Sequence, residues 1–294
     1  MLSSPSPKVQ LMPSSKENSR IVYRESLSAL RSHLEPCTVA IVNWSTDPEA
    51  PPKDLGSGTC IQIASRYFIA TAAHVIKGLE LEQIFLVPGT LAPRPKDWMP
   101  LLGRGGRGGE LEHPIDVAWL EVAPAALPIL QKKFLPLDRL APGIYHDQDD
   151  LVLFVGFPVA RVPQAQLKDR GLRVQPVSYL TETWSPEKWP TELKANPDTG
   201  TDVFIDYNEH ADVDGHHFKM VHPEGMSGGG IWLTKLLPPK GVWAPQRAQL
   251  IGIEHASDEG LSFARGTQMQ HWLRMVREDL PELSSAIDGH FPTL

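Results

Sequence analysis

Cysteine is almost absent: Cys37 and Cys60 are the only two in 294 residues. Secreted domains of this size are usually braced by several disulfides, so the count points to a reducing compartment, the cytoplasm. Both cysteines fall in apolar, strand-like segments and read as small buried hydrophobes rather than a redox pair. No run approaches the roughly 18 consecutive apolar residues that a membrane-spanning helix needs, which argues against a membrane partner. Residues 1–20 contain no apolar core of a secretory signal and are rich in serine, so they are expected to be flexible. Basic residues are in deficit: 28 Lys and Arg stand against 35 Asp and Glu, a net charge of -7. That balance argues against a nucleic-acid-binding surface. No internal repeat is visible.

Proline is abundant, at 28 residues, and suits many short strands joined by turns better than long helices. Strand-like segments recur at 38–44, 58–63, 67–70, 83–88 and 116–122, then at 151–157, 172–180, 203–207, 229–233 and 250–254. Leu27, Leu30 and Leu34 mark a short amphipathic helix over 25–34. Met269, Trp272, Leu273 and Val276 share one face of a second helix over 267–280. Short strands with turn signals between them and a terminal helix imply an all-β barrel or sandwich. The pattern breaks at 141–150, where two halves of one unit would divide.

Three segments carry chemistry. Gly225-Met226-Ser227-Gly228-Gly229 surrounds a serine with residues that allow tight turns and close approach of a substrate. In such a turn the amides of Gly225 and Ser227 can converge on one oxygen, as an oxyanion hole requires. A plain glycine-rich turn would look the same. Thr71-Ala72-Ala73-His74 ends a strand and presents a histidine among small residues, although His74 is one of 11. Asp116-Val117-Ala118-Trp119-Leu120 sets a carboxylate at the head of an apolar strand. A buried carboxylate needs partners; orienting a histidine is one use, and capping a turn is another.

Together and in this order, TAAH, DVAWL and GMSGG resemble the chymotrypsin/trypsin superfamily of serine proteases, over about residues 36–280. The resemblance implies two six-stranded antiparallel β-barrels, with a short N-terminal helix and a C-terminal helix. It divides the chain into an N-terminal extension at 1–35, a first barrel at 36–149, a second barrel with its helix at 150–282, and a tail at 283–294. It also implies a serine endopeptidase with Ser227 as nucleophile, His74 as general base and Asp116 as the residue orienting that base. The Gly225 and Ser227 amides would form the oxyanion hole, and no cofactor or metal would be needed. The substrate would be a protein or peptide. The turn Gly56-Ser57-Gly58-Thr59 and the run from Leu151 to Pro158 resemble the prokaryotic and HtrA-type branch, here expected without a PDZ domain.

The chain also departs from the family. Met226 stands where digestive members carry an aspartate that pairs with a newly released N-terminus, so Arg20-Ile21-Val22 is not expected to be an activation site. Val75 stands where the family places a cysteine beside the histidine. Restraint by a regulatory protein partner is expected in place of zymogen cleavage. By resemblance, Val221 lies at the floor of the substrate pocket and favours an apolar or small side chain. His255, Ala256 and Ser257 form one wall of that pocket and Phe263 the other, with Glu254, Asp258 or Glu259 able to add negative charge.

Other signals are set aside. The histidines and acids of 209–222 fail the EF-hand spacing and contain no HExxH, so a solvated loop is expected there. The glycines and arginines of 103–109 resemble an RGG tract, but one short copy in an acidic chain reads as a flexible loop between strands. An α/β-hydrolase would need the order Ser, Asp, His, and here His74 and Asp116 precede the serine. A binding protein on an inactive protease fold is the competing function.

Overall fold

The computed structural model describes residues 15–43, 54–87, 102–108, 115–146, 150–159, 174–191, 193, 196–207, 210–213, 216–219, 221–236, 243–258, 260 and 262–294. The chain opens with helix α1 (Ser15–Leu34) and continues through β1 (Thr38–Asn43), β2 (Asp54–Ile63), β3 (Arg66–Thr71), β4 (Ile84–Val87), β5 (Leu102–Gly108) and β6 (Val117–Val122). After the short helix α2 (Leu127–Leu130) come β7 (Val152–Gly156), β8 (Val177–Thr181), β9 (Asp202–Asp206), β10 (His210–Val213), β11 (His216–Lys219), β12 (Gly230–Leu233), β13 (Gln249–Asp258) and β14 (Phe263–Gln268). Helices α3 (Met269–Asp279) and α4 (Ser284–His290) follow.

Two curled six-stranded antiparallel sheets result, in the orders β4-β1-β2-β3-β6-β5 and β8-β7-β12-β13-β14-β9, with β10-β11 a separate hairpin. The expected two-barrel, all-β architecture is therefore present. The strands are apolar on both faces because each sheet packs on both sides. In β6, Ala118, Leu120 and Val122 face the first sheet's own core with Val39, Ile41 and Ile69. The alternate residues Val117 and Trp119 join a larger core shared with Leu153, Val155 and Ile253 of the second sheet. β7 repeats the device, because Val152 and Phe154 face the second sheet's own core. The two-residue side-chain period of a strand lets one segment feed two cores.

Helix α3 closes the shared core with Met269, Trp272, Leu273 and Val276, all 0% exposed. Burying a side chain as large as Trp272 also requires a partner for its indole N–H. Trp272 Nε1 donates to the Ala118 carbonyl at 3.0 Å, and Trp119 Nε1 donates to Asp279 at 2.8 Å. These bonds fasten α3 to the strand that follows Asp116.

Several expectations are corrected. Helix α1 begins at Ser15, not at residue 25, so part of the segment expected to be flexible is helical. Arg20-Ile21-Val22 lies within that helix; residues 1–14 lie outside the described ones. The glycine-rich stretch expected to be a loop is β5, paired with β6 from Leu102↔Val122 to Gly108↔Val117. Its glycines carry no apolar alternation, and backbone pairing alone makes the strand. The expected loop at 209–222 contains the hairpin β10-β11, with His210 opposite Lys219. Thr267 and Gln268 end β14 rather than start α3, and the expected tail contains α4, whose Ile287 is fully buried in the shared core.

Candidate active site

Each motif sits where a strand begins or ends. His74 lies in a 3₁₀ turn (Ala73–Ile76) just beyond β3, Asp116 immediately precedes β6, and Ser227 lies three residues before β12. Because β3 and β6 are paired neighbours, with Thr71 opposite Ala118, their ends bring His74 and Asp116 together. Asp116 Oδ2 lies 2.7 Å from His74 Nδ1, and Asp116 Oδ1 accepts the His74 backbone N–H at 3.0 Å. Two bonds to one carboxylate set both the ring and the chain that carries it. Burial alone would raise the Asp116 carboxyl, but the bonds from His74 and the nearby imidazoles outweigh it and hold the carboxyl below its ordinary value.

Ser227 comes from the other sheet. His74, Gly225 and Ser227 line one cleft of about 290 Å³, together with Gly56, Val75, Lys77 and Glu224. The turn carrying Ser227 has Gly225 at φ +88° and Gly228 at φ +90°. A side chain at Gly228 would collide with the Ser57 carbonyl and the Thr71 hydroxyl. Gly228→Ala is accordingly expected to cost about 3 kcal/mol or more of stability, the sum of left-handed strain and overpacking. An unfolding free energy, from denaturant titration, lowered by less than a third of that would contradict the packing.

The turn is clamped from several sides. The Val159 N–H donates to the Glu224 carbonyl at 2.8 Å, so the Gly225 N–H of the same trans peptide points the opposite way. Among the described residues, neither the Gly225 nor the Ser227 N–H donates to a backbone or side-chain acceptor. Both remain able to receive an oxygen.

Ser57, fully buried on β2, reaches across from the first sheet. Its N–H donates to the Ser227 carbonyl at 2.7 Å and its hydroxyl to the Gly225 carbonyl at 3.0 Å. The same hydroxyl accepts the Phe157 N–H at 2.8 Å. Ser57→Ala would leave that N–H unpaired and is expected to cost about 1–3 kcal/mol of stability. It should also lower turnover on the order of 10-fold, about 1.4 kcal/mol of misalignment. Thermal melts and steady-state rates of the variant check both. The segment Gly56 to Thr59, expected as a turn, is strand throughout, paired with β1; its tie to the nucleophile turn was not legible, because the contact joins residues far apart in sequence.

The residues assigned to a substrate pocket are spread more widely. Val221 is half-buried, and its carbonyl accepts the Tyr207 hydroxyl at 2.6 Å. His255 lies between two carboxylates, with Nδ1 4.0 Å from Asp116 and Nε2 4.0 Å from Asp202. Asp202 is already paired with Arg265 by two bonds of 2.7 and 2.8 Å. Burial, helped by Arg265 and opposed by Asp116 and Asp202, pushes the His255 imidazole down to about 4, so it is neutral at pH 7. Ala256 is half-buried and Ser257 exposed. Phe263 is 2% exposed and packs at tilted ring angles against Phe204 and Trp184 in an aromatic cluster. Met226 is fully buried among Phe154, Tyr207 and Ile231, as an apolar residue at that position should be.

Among the solved structures with a similar fold are two from the scabies mite. The scabies mite inactivated protease paralogue S-I1 is similar over 85% of this chain and 96% of its own, at 17% identity and a TM-score of 0.55. The scabies mite inactivated protease paralogue S-D1 is similar over 85% of this chain and 94% of its own, at 14% identity and a TM-score of 0.52. A serine endoprotease from Yersinia pestis is matched over 87% of this chain and 66% of its own, at 18% identity and a TM-score of 0.46. No protein-family model matches the chain, and no curated protein does. The likeness to the mite paralogues shows the chymotrypsin-like fold.

Proposed function

We propose that this chain is a serine endopeptidase that hydrolyses peptide bonds through Ser227, His74 and Asp116. The observation that carries the reading is the pair of bonds from Asp116 to the ring and backbone of His74, on a cleft that Ser227 also lines. In this reading Ser227 Oγ attacks the peptide carbonyl carbon while His74 Nε2 takes its proton. The amides of Gly225 and Ser227 hold the oxyanion. The C–N bond then breaks, His74 returns the proton to the leaving amine, and an acyl-enzyme remains. Water, deprotonated by His74, releases the acid and restores Ser227. Asp116 stays ionised throughout and stabilises the imidazolium.

The substrate is a protein or peptide, and no cofactor is invoked. Among the described residues no helix is long and apolar enough to cross a membrane. Both cysteines are free and buried, and burial pushes the Cys37 thiol up to about 11 and that of Cys60 higher, so neither competes as a nucleophile. Free thiols fit the cytoplasm. Met226, buried and apolar, fits control by a partner rather than by a released N-terminus, and the family features fit the HtrA-type branch.

A binding protein on an inactive protease fold is the second reading. It is favoured by one observation: among the described residues, Ser227 Oγ makes no hydrogen bond to His74 Nε2. Labelling with a fluorophosphonate separates the two. The endopeptidase labels, and Ser227→Ala does not. A folded wild-type protein that never labels, alone or in cell extract, would support the binding role.

A further inference from the structure

Beside the nucleophile turn lies a carboxyl that the proposed mechanism does not use. Glu254 is on β13, next to the turn: its carbonyl accepts the Gly228 N–H at 2.7 Å, and its N–H donates to the Gly229 carbonyl at 2.9 Å. A register shift between Glu254 and Ala256 marks a bulge at His255. Consecutive strand residues normally face opposite sides, and a bulge relaxes that rule. Here both Glu254 and His255 come under the influence of Asp116. Glu254 is 1% exposed, and its Oε2 is buried without a partner. The Ser227 hydroxyl favours the ionised form of this carboxyl, against the effect of burial.

A buried carboxyl with an empty acceptor site is costly to keep, and an apolar residue would fill a strand position in a core of this kind. Its position next to Ser227, and the missing bond from Ser227 to His74, belong together. We propose that Glu254 takes the hydroxyl of Ser227 in the resting protein and so restrains the nucleophile from its general base. The inference rests on the reading of Ser227 as a nucleophile and adds a restraint within the same site. It offers a means of control in a chain whose Met226 cannot serve the N-terminal pairing of digestive enzymes.

The restraint has a pH signature. The titratable and charged groups around Glu254 are Asp116 and His74 from the first sheet and His255 beside it, with the Asp202–Arg265 pair beyond His255. Burial pushes the Glu254 carboxyl up to about 8, Asp116 adds to the rise, and the Ser227 hydroxyl opposes it. The ionised form accepts the hydroxyl more strongly than the neutral acid. The restraint therefore tightens as pH rises through that value.

Fluorophosphonate labelling rates of the full chain, measured from pH 6 to pH 9.5, test this. Glu254→Leu removes both the acceptor and the charge. It should label about 10-fold faster than wild type at pH 9, the effect of one hydrogen bond to a charged group, with a smaller gain at pH 6. Glu254→Gln keeps an acceptor but cannot ionise, and should lose the fall in rate above pH 8 that wild type shows. If Glu254→Leu does not fold, the pH profile of Glu254→Gln decides alone. Equal rates and equal profiles in all three proteins would overturn the restraint and leave the hydrolase reading standing. Folded wild type and variants that all fail to label would overturn the hydrolase reading, and the restraint with it.

Discussion

Replacing Ser227 with alanine is expected to lower kcat for peptide hydrolysis about 10⁶-fold, the loss seen when the nucleophile of a working triad is removed. Without Oγ no acyl-enzyme can form, and the proton acceptor at His74 has nothing to activate. The remaining catalysis, about 10³–10⁴-fold over water, would come from the amides of Gly225 and Ser227 and from substrate binding. The fold should be nearly untouched. The bond from Ser57 to residue 227 uses the backbone carbonyl, at 2.7 Å, and survives the substitution. Because the buried Glu254 carboxyl loses the hydroxyl it takes in the resting protein, stability should fall by about 1–3 kcal/mol. Steady-state rates on a cleaved peptide, with a thermal melt as control, measure both. A loss below tenfold would mean that another residue is the nucleophile.

Asp116→Asn is expected to cost on the order of 10⁴ in kcat with the structure retained. Asparagine can still accept the His74 backbone N–H through its oxygen, the bond now at 3.0 Å. Its amide nitrogen would then face His74 Nδ1, now 2.7 Å from a carboxylate oxygen. An N–H donor at that place favours the tautomer with its proton on Nε2, which cannot take the proton of Ser227. The acid limb of stability should change as well. Although burial opposes it, His74 holds the Asp116 carboxyl below its ordinary value. Wild type therefore gains stability that is present above the ordinary carboxylate range and lost as pH falls through the lowered value. Asp116→Asn should flatten that part of an acid-unfolding curve. Unaltered turnover in the variant would remove Asp116 from the catalytic assignment.

Much of the fold was legible in the chain because its strands are short, apolar and β-branched. Segments such as Val39 to Val42 and Val152 to Val155 declare themselves by composition. What escaped was structure made by backbone pairing or by distant cover. The glycines of β5 carry no pattern, and a strand there depends on β6 as a template. Helix α4 looked like a tail because Ile287 finds its core only after residues from both sheets have assembled. Helix α3 starts two residues later than its apolar spacing suggested, since Thr267 and Gln268 serve as strand first.

The opening scarcities and the three motifs were determined by the sequence alone. Few cysteines, no long apolar run and an acid excess bounded the class, and TAAH, DVAWL and GMSGG marked the strand ends where chemistry was expected. Tertiary structure decided what those ends meet. The pairing of β3 with β6 set His74 against Asp116, and Ser57 tied the turn of Ser227 to the opposite sheet. Backbone bonds to Gly228 and Gly229 set Glu254 beside the turn of the serine. Motifs are local and survive in a linear reading, whereas a bulge, a cross-sheet clamp and a buried unpaired carboxyl exist only between segments far apart in the chain.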